Sequence, residues 1–333
     1  MNEIILILTF FLALLLALYG TPLAIRTARR YNILDHPDGH LKTHRVPTPY
    51  LGGLIVYFAF IFPVSLLFDF SRELLGILFA GSILLIVGLF DDLKALTPGT
   101  KFFFQIIATY ILLKSGIYMK LVFLPGWLNT LLSFLWILII INAFNIIDIM
   151  DGLAGTVAVL CLGAICIISL ANQNLLIAMI ALSLAGAVIG FLRFNWRPAR
   201  IYLGDSGSMF IGMVVGALVI MNDYSQHNDL GFISGFLILI LPLFELGYVS
   251  LIRLIRGRSI FRGSRDHFPL RLERRFGRSY PGAVVFIGLI QLVISAVVVI
   301  SYYSSPGFTL ASSAVVLLLF GILGIWLAGE KMA

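Results

Sequence analysis

Apolar residues run along this chain in stretches of about 20, separated by short polar segments, and that length matches the hydrocarbon core of a bilayer crossed by a helix. The pattern predicts helices over 3–24, 51–69, 73–90, 101–118, 121–141, 153–171, 175–192, 207–221, 230–252, 282–303 and 308–327. The first run follows Met1, Asn2 and Glu3, lacks a basic leader and is longer than a signal-peptide core, so it is expected to stay as the first span. The expected fold is all-α: one polytopic membrane domain over 1–333 with about 10–11 transmembrane helices.

Composition sharpens that picture. With 60% hydrophobic residues, 12% charged residues and a mean hydropathy of +1.04, the chain leaves no room for a soluble domain. Charge sets the orientation. An outside N-terminus places cytoplasmic loops at about 25–50, 91–100, 142–152, 193–206 and 253–281, and of the 23 Lys and Arg only Arg72, Lys114 and Lys120 then fall outside. The net charge of +7 therefore sits mainly in cytoplasmic loops, either as a topology signal and attraction for anionic lipid or as a field for a polyanion. Cys161 and Cys166 share one apolar segment without metal-ligand spacing and read as packing residues.

Five aspartates, Asp91, Asp92, Asp148, Asp151 and Asp205, fall where apolar segments end, all on the predicted cytoplasmic face. Carboxylates at a membrane boundary are costly unless paired, hydrated or metal-bound, so their convergence suggests a divalent-metal and phosphate site. Adjacent carboxylates on a helix diverge by about 100°, so Asp91 and Asp92 reach one centre only if their helix stops there. Asn142, Asn145, Asp148 and Asp151 recur every third position, and the helix is expected to break before Gly152, leaving the two asparagines to cap or line the site. Amide and carboxylate oxygens are the hard ligands magnesium prefers. Asp205, between Gly204 and Ser206-Gly207, is expected at a helix start with free backbone amides for a phosphate; capping by Asp205 or Ser206 is the ordinary alternative.

These segments, with Asp35-His36-Pro37 and the run from His44 to Gly53, resemble the polyprenyl-phosphate N-acetylhexosamine-1-phosphate transferase superfamily from about Asp35 to Arg278. That superfamily includes phospho-N-acetylmuramoyl-pentapeptide translocases and GlcNAc-1-phosphate transferases. The resemblance implies transfer of a sugar 1-phosphate from a UDP-N-acetylhexosamine to a polyprenyl phosphate, with release of UMP. Magnesium is implied as cofactor, with manganese able to substitute. It implies Asp205, Asp92 and Asn145 near the metal, and Asp91, Asp92 and Asp148 as catalytic carboxylates. Lys94, Asn142, Asn145, Asp151, Asn195, Tyr202 and His44 are implied at the substrates, Tyr202 stacking on uracil. In the last internal loop His267 is expected either to contact phosphate or sugar or simply to cap a surface helix, and Arg265 and Arg271 read as diphosphate clamps.

Two departures matter. Ile149 stands where the family commonly has glycine after the first aspartate of its Asp-Gly-x-Asp-Gly run, so the turn here must avoid positive φ. The triple histidine of the muramoyl-pentapeptide enzymes is absent around His267, which points to a plain N-acetylhexosamine and the GlcNAc-1-phosphate branch.

Phosphoryl transfer between anions chiefly needs charge neutralisation and alignment, which a divalent ion with lysine and arginine supplies. Direct attack by the already ionised lipid phosphate and a covalent aspartyl-phosphate route both stay open at this stage. The fifth and ninth predicted helices are candidates for the lipid groove, Pro242 kinking the ninth either to open it or simply for packing. The membrane, the nucleotide sugar and the lipid phosphate are the expected partners, in a plasma membrane; the resemblance allows a homodimer and no nucleic acid is implied. A transporter would instead place acids mid-span within inverted repeats, and neither is seen; a non-catalytic carrier would bind the same ligands without turnover.

Overall fold

The computed structural model describes residues 2–35, 47–259, 264–277 and 279–329. Thirteen helices fill the described residues, with one short ribbon between the first two. The chain enters through α1 (Asn2–Arg30) and makes an antiparallel pair of two-residue strands, β1 (Leu34–Asp35) against β2 (Thr48–Pro49). It continues through α2 (Gly52–Leu67), α3 (Arg72–Leu93), α4 (Pro98–Lys114), α5 (Gly126–Ile147), α6 (Leu153–Ala171), α7 (Leu175–Asn195) and α8 (Gly204–Met221). The last part holds α9 (Gly231–Leu237), α10 (Ile240–Ile255), α11 (Phe268–Arg275), α12 (Tyr280–Tyr302) and α13 (Pro306–Ala328).

Local chemistry starts these helices where they start. Ser71, Thr97, Asn174 and Ser305 each accept the backbone N–H three residues on, capping α3, α4, α7 and α13. Proline opens the first turns of α4, α11, α12 and α13, where its missing N–H is harmless. Gly152, at φ 77°, carries the turn from α5 into α6, and Ile149 is not among the residues with positive φ.

The fold is the expected polytopic all-α membrane bundle. Each of the eleven apolar segments is helical, but among the described residues only eight helices are long and apolar enough to cross a membrane on their own. A ninth is the pair α9–α10, bent by 60°. Helix α2 is short, its 16 residues reaching about 24 Å. The expected boundaries also need correction. Helix α1 continues to Arg30, α3 to Leu93, α5 to Ile147 and α7 to Asn195. Hydropathy marks the apolar middle of a helix, whereas backbone hydrogen bonding carries it one or two turns into polar sequence. Most of the expected 142–152 loop is therefore the last turn of α5.

Helix α8 sits at the centre, packed by α2, α3, α5, α6 and α7, while α13 lies at the rim with most of its apolar surface outward. The bend between α9 and α10 falls at Ile238–Leu239, four residues before the expected kink at Pro242. Proline cannot donate to the carbonyl four positions back, which is that of Ile238. Gln291 Nε2 (3.0 Å) and the Cys161 thiol (3.3 Å) donate to it instead, so this break is held in place from α12 and α6. Cys161 is thereby more than a packing residue.

Candidate functional site

Four helix ends meet at one end of the bundle: the C-termini of α3 and α5 and the N-termini of α4 and α8. Gly88 makes the approach of α3 to α8 possible, since a Cβ there would stand 2.3 Å from Ser206 Cα. Gly204 at φ 74° turns the chain into α8, and a Cβ on it would meet Asp92 Oδ2 at 2.5 Å.

Because α3 continues through Asp91 and Asp92 to Leu93, the two carboxylates diverge onto different partners around Asp205. Asp91 accepts the Leu96 N–H (2.7 Å) and the Lys101 ammonium (3.0 Å). Asp92 turns to the start of α8, accepting from Asp205 N (2.8 Å), Ser206 N (3.3 Å) and the Ser206 hydroxyl (2.9 Å). The amides expected to be free for a phosphate are thus held by a carboxylate from another helix. Neither Asp205 nor Ser206 caps α8; Asp92 does so from α3.

Asp205 is joined to two further elements. Its Oδ2 receives the Lys101 ammonium at 2.5 Å, and its Oδ1 receives the Asn145 amide at 3.0 Å, while Asn145 also donates to Ser208 Oγ at 3.0 Å. Lys101, one turn into α4, therefore sits between Asp91 and Asp205. Lys94, expected at the substrates, is exposed at the C-cap of α3. The available signal was position: Lys101 is a lone cation at the start of an apolar helix, directly after a Thr-Pro-Gly cap. Asn142 lies a turn deeper in α5 and pairs its amide with that of buried Gln105, donating at 2.8 Å.

Asp148 caps the C-terminus of α5 and has no hydrogen-bond or ion-pair partner among the described residues. Burial, and then the carboxylates of Asp205, Asp92 and Asp151, push its carboxyl well above the usual range. Asp151 is better held: its Oδ2 accepts from Ala199 N at 3.2 Å and its own N–H donates to the Tyr280 hydroxyl. Asn195 is 4% exposed and braces this region, accepting from Gly152 N (2.9 Å) and donating to Ile201 O (2.9 Å). Tyr202 and Tyr50 stand with ring centroids 6.4 Å apart at 54°. His44 lies outside the described residues.

The three residues expected from the last internal loop stand at the start of α11 and just before it. Arg265 is exposed, whereas His267 and Arg271 are buried in a polar cluster built by α10, α11 and α13. Glu245 accepts from Phe268 N (3.0 Å) and pairs with His267 Nδ1 at 2.5 Å. Asp266 meets Arg256 at 2.5 Å and Arg271 at 3.0 Å. Arg271 also donates to the carbonyls of Leu327 and Ala328, tying α11 to the end of α13.

Comparison with known proteins places this geometry. The Glycosyl transferase family 4 signature matches residues 74–223, which contain α3 through α8 and all four helix ends of the site. A protein of Bacillus subtilis (strain 168), "Probable undecaprenyl-phosphate N-acetylglucosaminyl 1-phosphate transferase", is 29% identical over 298 residues, covering 87% of this chain and 83% of its own. The "Decaprenyl-phosphate N-acetylglucosaminephosphotransferase" of Mycobacterium leprae (strain TN) is 31% identical over 316 residues, 83% of this chain and 79% of its own. This chain belongs to glycosyl transferase family 4. A "Phospho-N-acetylmuramoyl-pentapeptide-transferase" of Oceanobacillus iheyensis, 29% identical, covers less of this family 4 chain, 65%.

The protein is thus a membrane transferase, and the chemistry of its donor set can be tested against a divalent ion. Among the described residues no three acidic, histidine or cysteine side chains are spaced to enclose an ion. Magnesium does not need such a cage: it is commonly held by one or two carboxylates and completed by phosphate oxygens and water. The unpartnered Asp148 and the Asp91–Lys101–Asp205 bridge, in which an ammonium already joins two carboxylates, fit that mode.

Proposed function

We propose that this family 4 enzyme transfers N-acetylglucosamine 1-phosphate from UDP-N-acetylglucosamine to a polyprenyl phosphate in the plasma membrane. The observation that carries this reading is the meeting of Asp91, Asp92, Asp148, Asp205, Asn145 and Lys101 at one end of the bundle, where a water-soluble nucleotide can reach a lipid phosphate. The transferred group and the lipid class follow the names of the relatives, and the UDP donor follows the resemblance of the motifs.

In this reading an oxygen of the lipid phosphate attacks the β-phosphorus of the donor, the bond from that phosphorus to the bridging oxygen breaks, and UMP leaves. Attack of one anion on another is limited by charge and alignment rather than by nucleophile strength. Asp205 and Asp148 would hold a magnesium ion, which would supply screening of the diphosphate charge. Asn145 holds Asp205 in one orientation. Lys101 keeps Asp91 and Asp205 together and presents a cation to the incoming phosphates. Asp92, engaged in capping α8, fixes the helix that carries Asp205.

Purified protein supplied with UDP-N-acetylglucosamine, undecaprenyl phosphate and magnesium should release UMP, and a chelator or Asp205→Asn should abolish the release. Folded protein that releases no UMP from any of several UDP-N-acetylhexosamines would remove this reading.

A further inference from the structure

The turn between α5 and α6, which carries Asp148 and Asp151, is held from outside by side chains. Two consecutive amides of the turn donate to distant segments, Asp151 N to the Tyr280 hydroxyl on α12 and Gly152 N to Asn195 on α7. The Tyr280 ring is itself covered by the Arg197 guanidinium, 3.6 Å from its centroid. Arg197 lies two residues before Ala199, whose N–H donates to the Asp151 carboxylate. Three segments thus close a ring: Arg197 seats Tyr280, Tyr280 takes the Asp151 amide, and the Asp151 carboxylate takes an amide from the stretch that carries Arg197.

We propose that Tyr280, seated by Arg197, is a positioning residue that sets Asp151 and the neighbouring Asp148 for the nucleotide-sugar donor, which extends the transferase reading above. The arrangement suits that task physically. Among the described residues Asp148 has no hydrogen-bond partner, so the turn that carries it is fixed by the bonds of Asp151 and Gly152. A hydroxyl that accepts from the backbone fixes the turn without occupying either carboxylate's remaining lone pairs. Planar stacking of a guanidinium on the ring fixes the tyrosine in turn, and lysine cannot reproduce it.

Tyr280→Phe keeps the ring and its Arg197 contact and removes only the acceptor; Arg197→Leu removes the stacking and keeps the hydroxyl. Both should raise the KM for UDP-N-acetylglucosamine roughly three- to tenfold, the scale of one hydrogen bond, with the KM for polyprenyl phosphate within about twofold of wild type. Hydrogen exchange over 148–152 should quicken in both. A merely structural clamp would lower Tm in these variants and leave both KM values unchanged, and that result overturns the proposal, as does unchanged exchange over 148–152. If wild-type protein turns over no UDP-sugar, the transferase reading fails by itself, and the exchange comparison still decides whether Tyr280 holds the turn.

Discussion

Two helices of this protein begin against a carboxylate borrowed from elsewhere, and their surroundings differ in one respect. Asp92 of α3 caps α8, and Glu245 of α10 holds the first amide of α11. Around Glu245 the polar groups close on one another: His267 Nδ1 on Glu245, Arg256 and Arg271 on Asp266, with the carbonyls of Leu327 and Ala328 taking further Arg271 donors. Around Asp92 they do not close. Asp91 and Asp205 share the ammonium of Lys101, and Asp148 has no partner among the described residues. A balanced buried network contributes to shape. An acidic surplus at a membrane boundary has a cost that an external cation removes, and this marks it as a place for ligands.

The contrast can be broken at the balanced cluster first. Arg271→Ala leaves Asp266 and two carbonyls without a fully buried partner, and the expected loss is about 3–5 kcal/mol of stability. Thermal unfolding in detergent measures it, and a variant as stable as wild type would show that the cluster is not structural. Asp205→Asn strikes the unbalanced site. We expect turnover to drop about 100- to 1000-fold, the range for removing one preorganised electrostatic contact, with little change in Tm. Activity within tenfold of wild type would place the chemistry elsewhere.

Asp92→Asn should have a smaller effect on stability, about 2 kcal/mol, because one accepting oxygen is replaced by an amide nitrogen that faces N–H donors and the charge facing the α8 dipole is gone. Titration of Asp148 gives the finest test. Its folded pKa is raised by burial and then by neighbouring carboxylates, so wild type loses stability relative to Asp148→Asn as pH rises from the ordinary value of about 4 toward the raised one. Below about pH 4 the two proteins should melt together, and at neutral pH, in chelator, the variant should be the more stable. Parallel melting curves at every pH would mean that Asp148 is not in the field of the other acids.

The sequence was informative wherever the signal was local. Apolar length gave each membrane helix, and glycine with boundary aspartates gave the turn at Gly152 and the start of α8. Pairings across more than a hundred positions were not legible. Lys101 with Asp205 and Asp92 with the amides of Asp205 and Ser206 arise only when α3, α4 and α8 pack. Motif resemblance also says nothing of how a side chain is occupied. Asn195 braces two backbone segments, and Arg271 is enclosed by the ends of two helices.

The borrowed cap on α8 has a consequence for biosynthesis. A chain emerging from its N-terminus delivers α3 and α4 to the membrane about 90 residues before Asp205 appears. Through that interval Asp91 and Lys101 can pair with each other, while Asp92 has no helix start to occupy and must stay at the aqueous edge. Arrival of α8 draws Asp92 inward and brings Asp205 to Lys101 in the same movement, so the charged centre is assembled late, by a helix inserting against partners already in place.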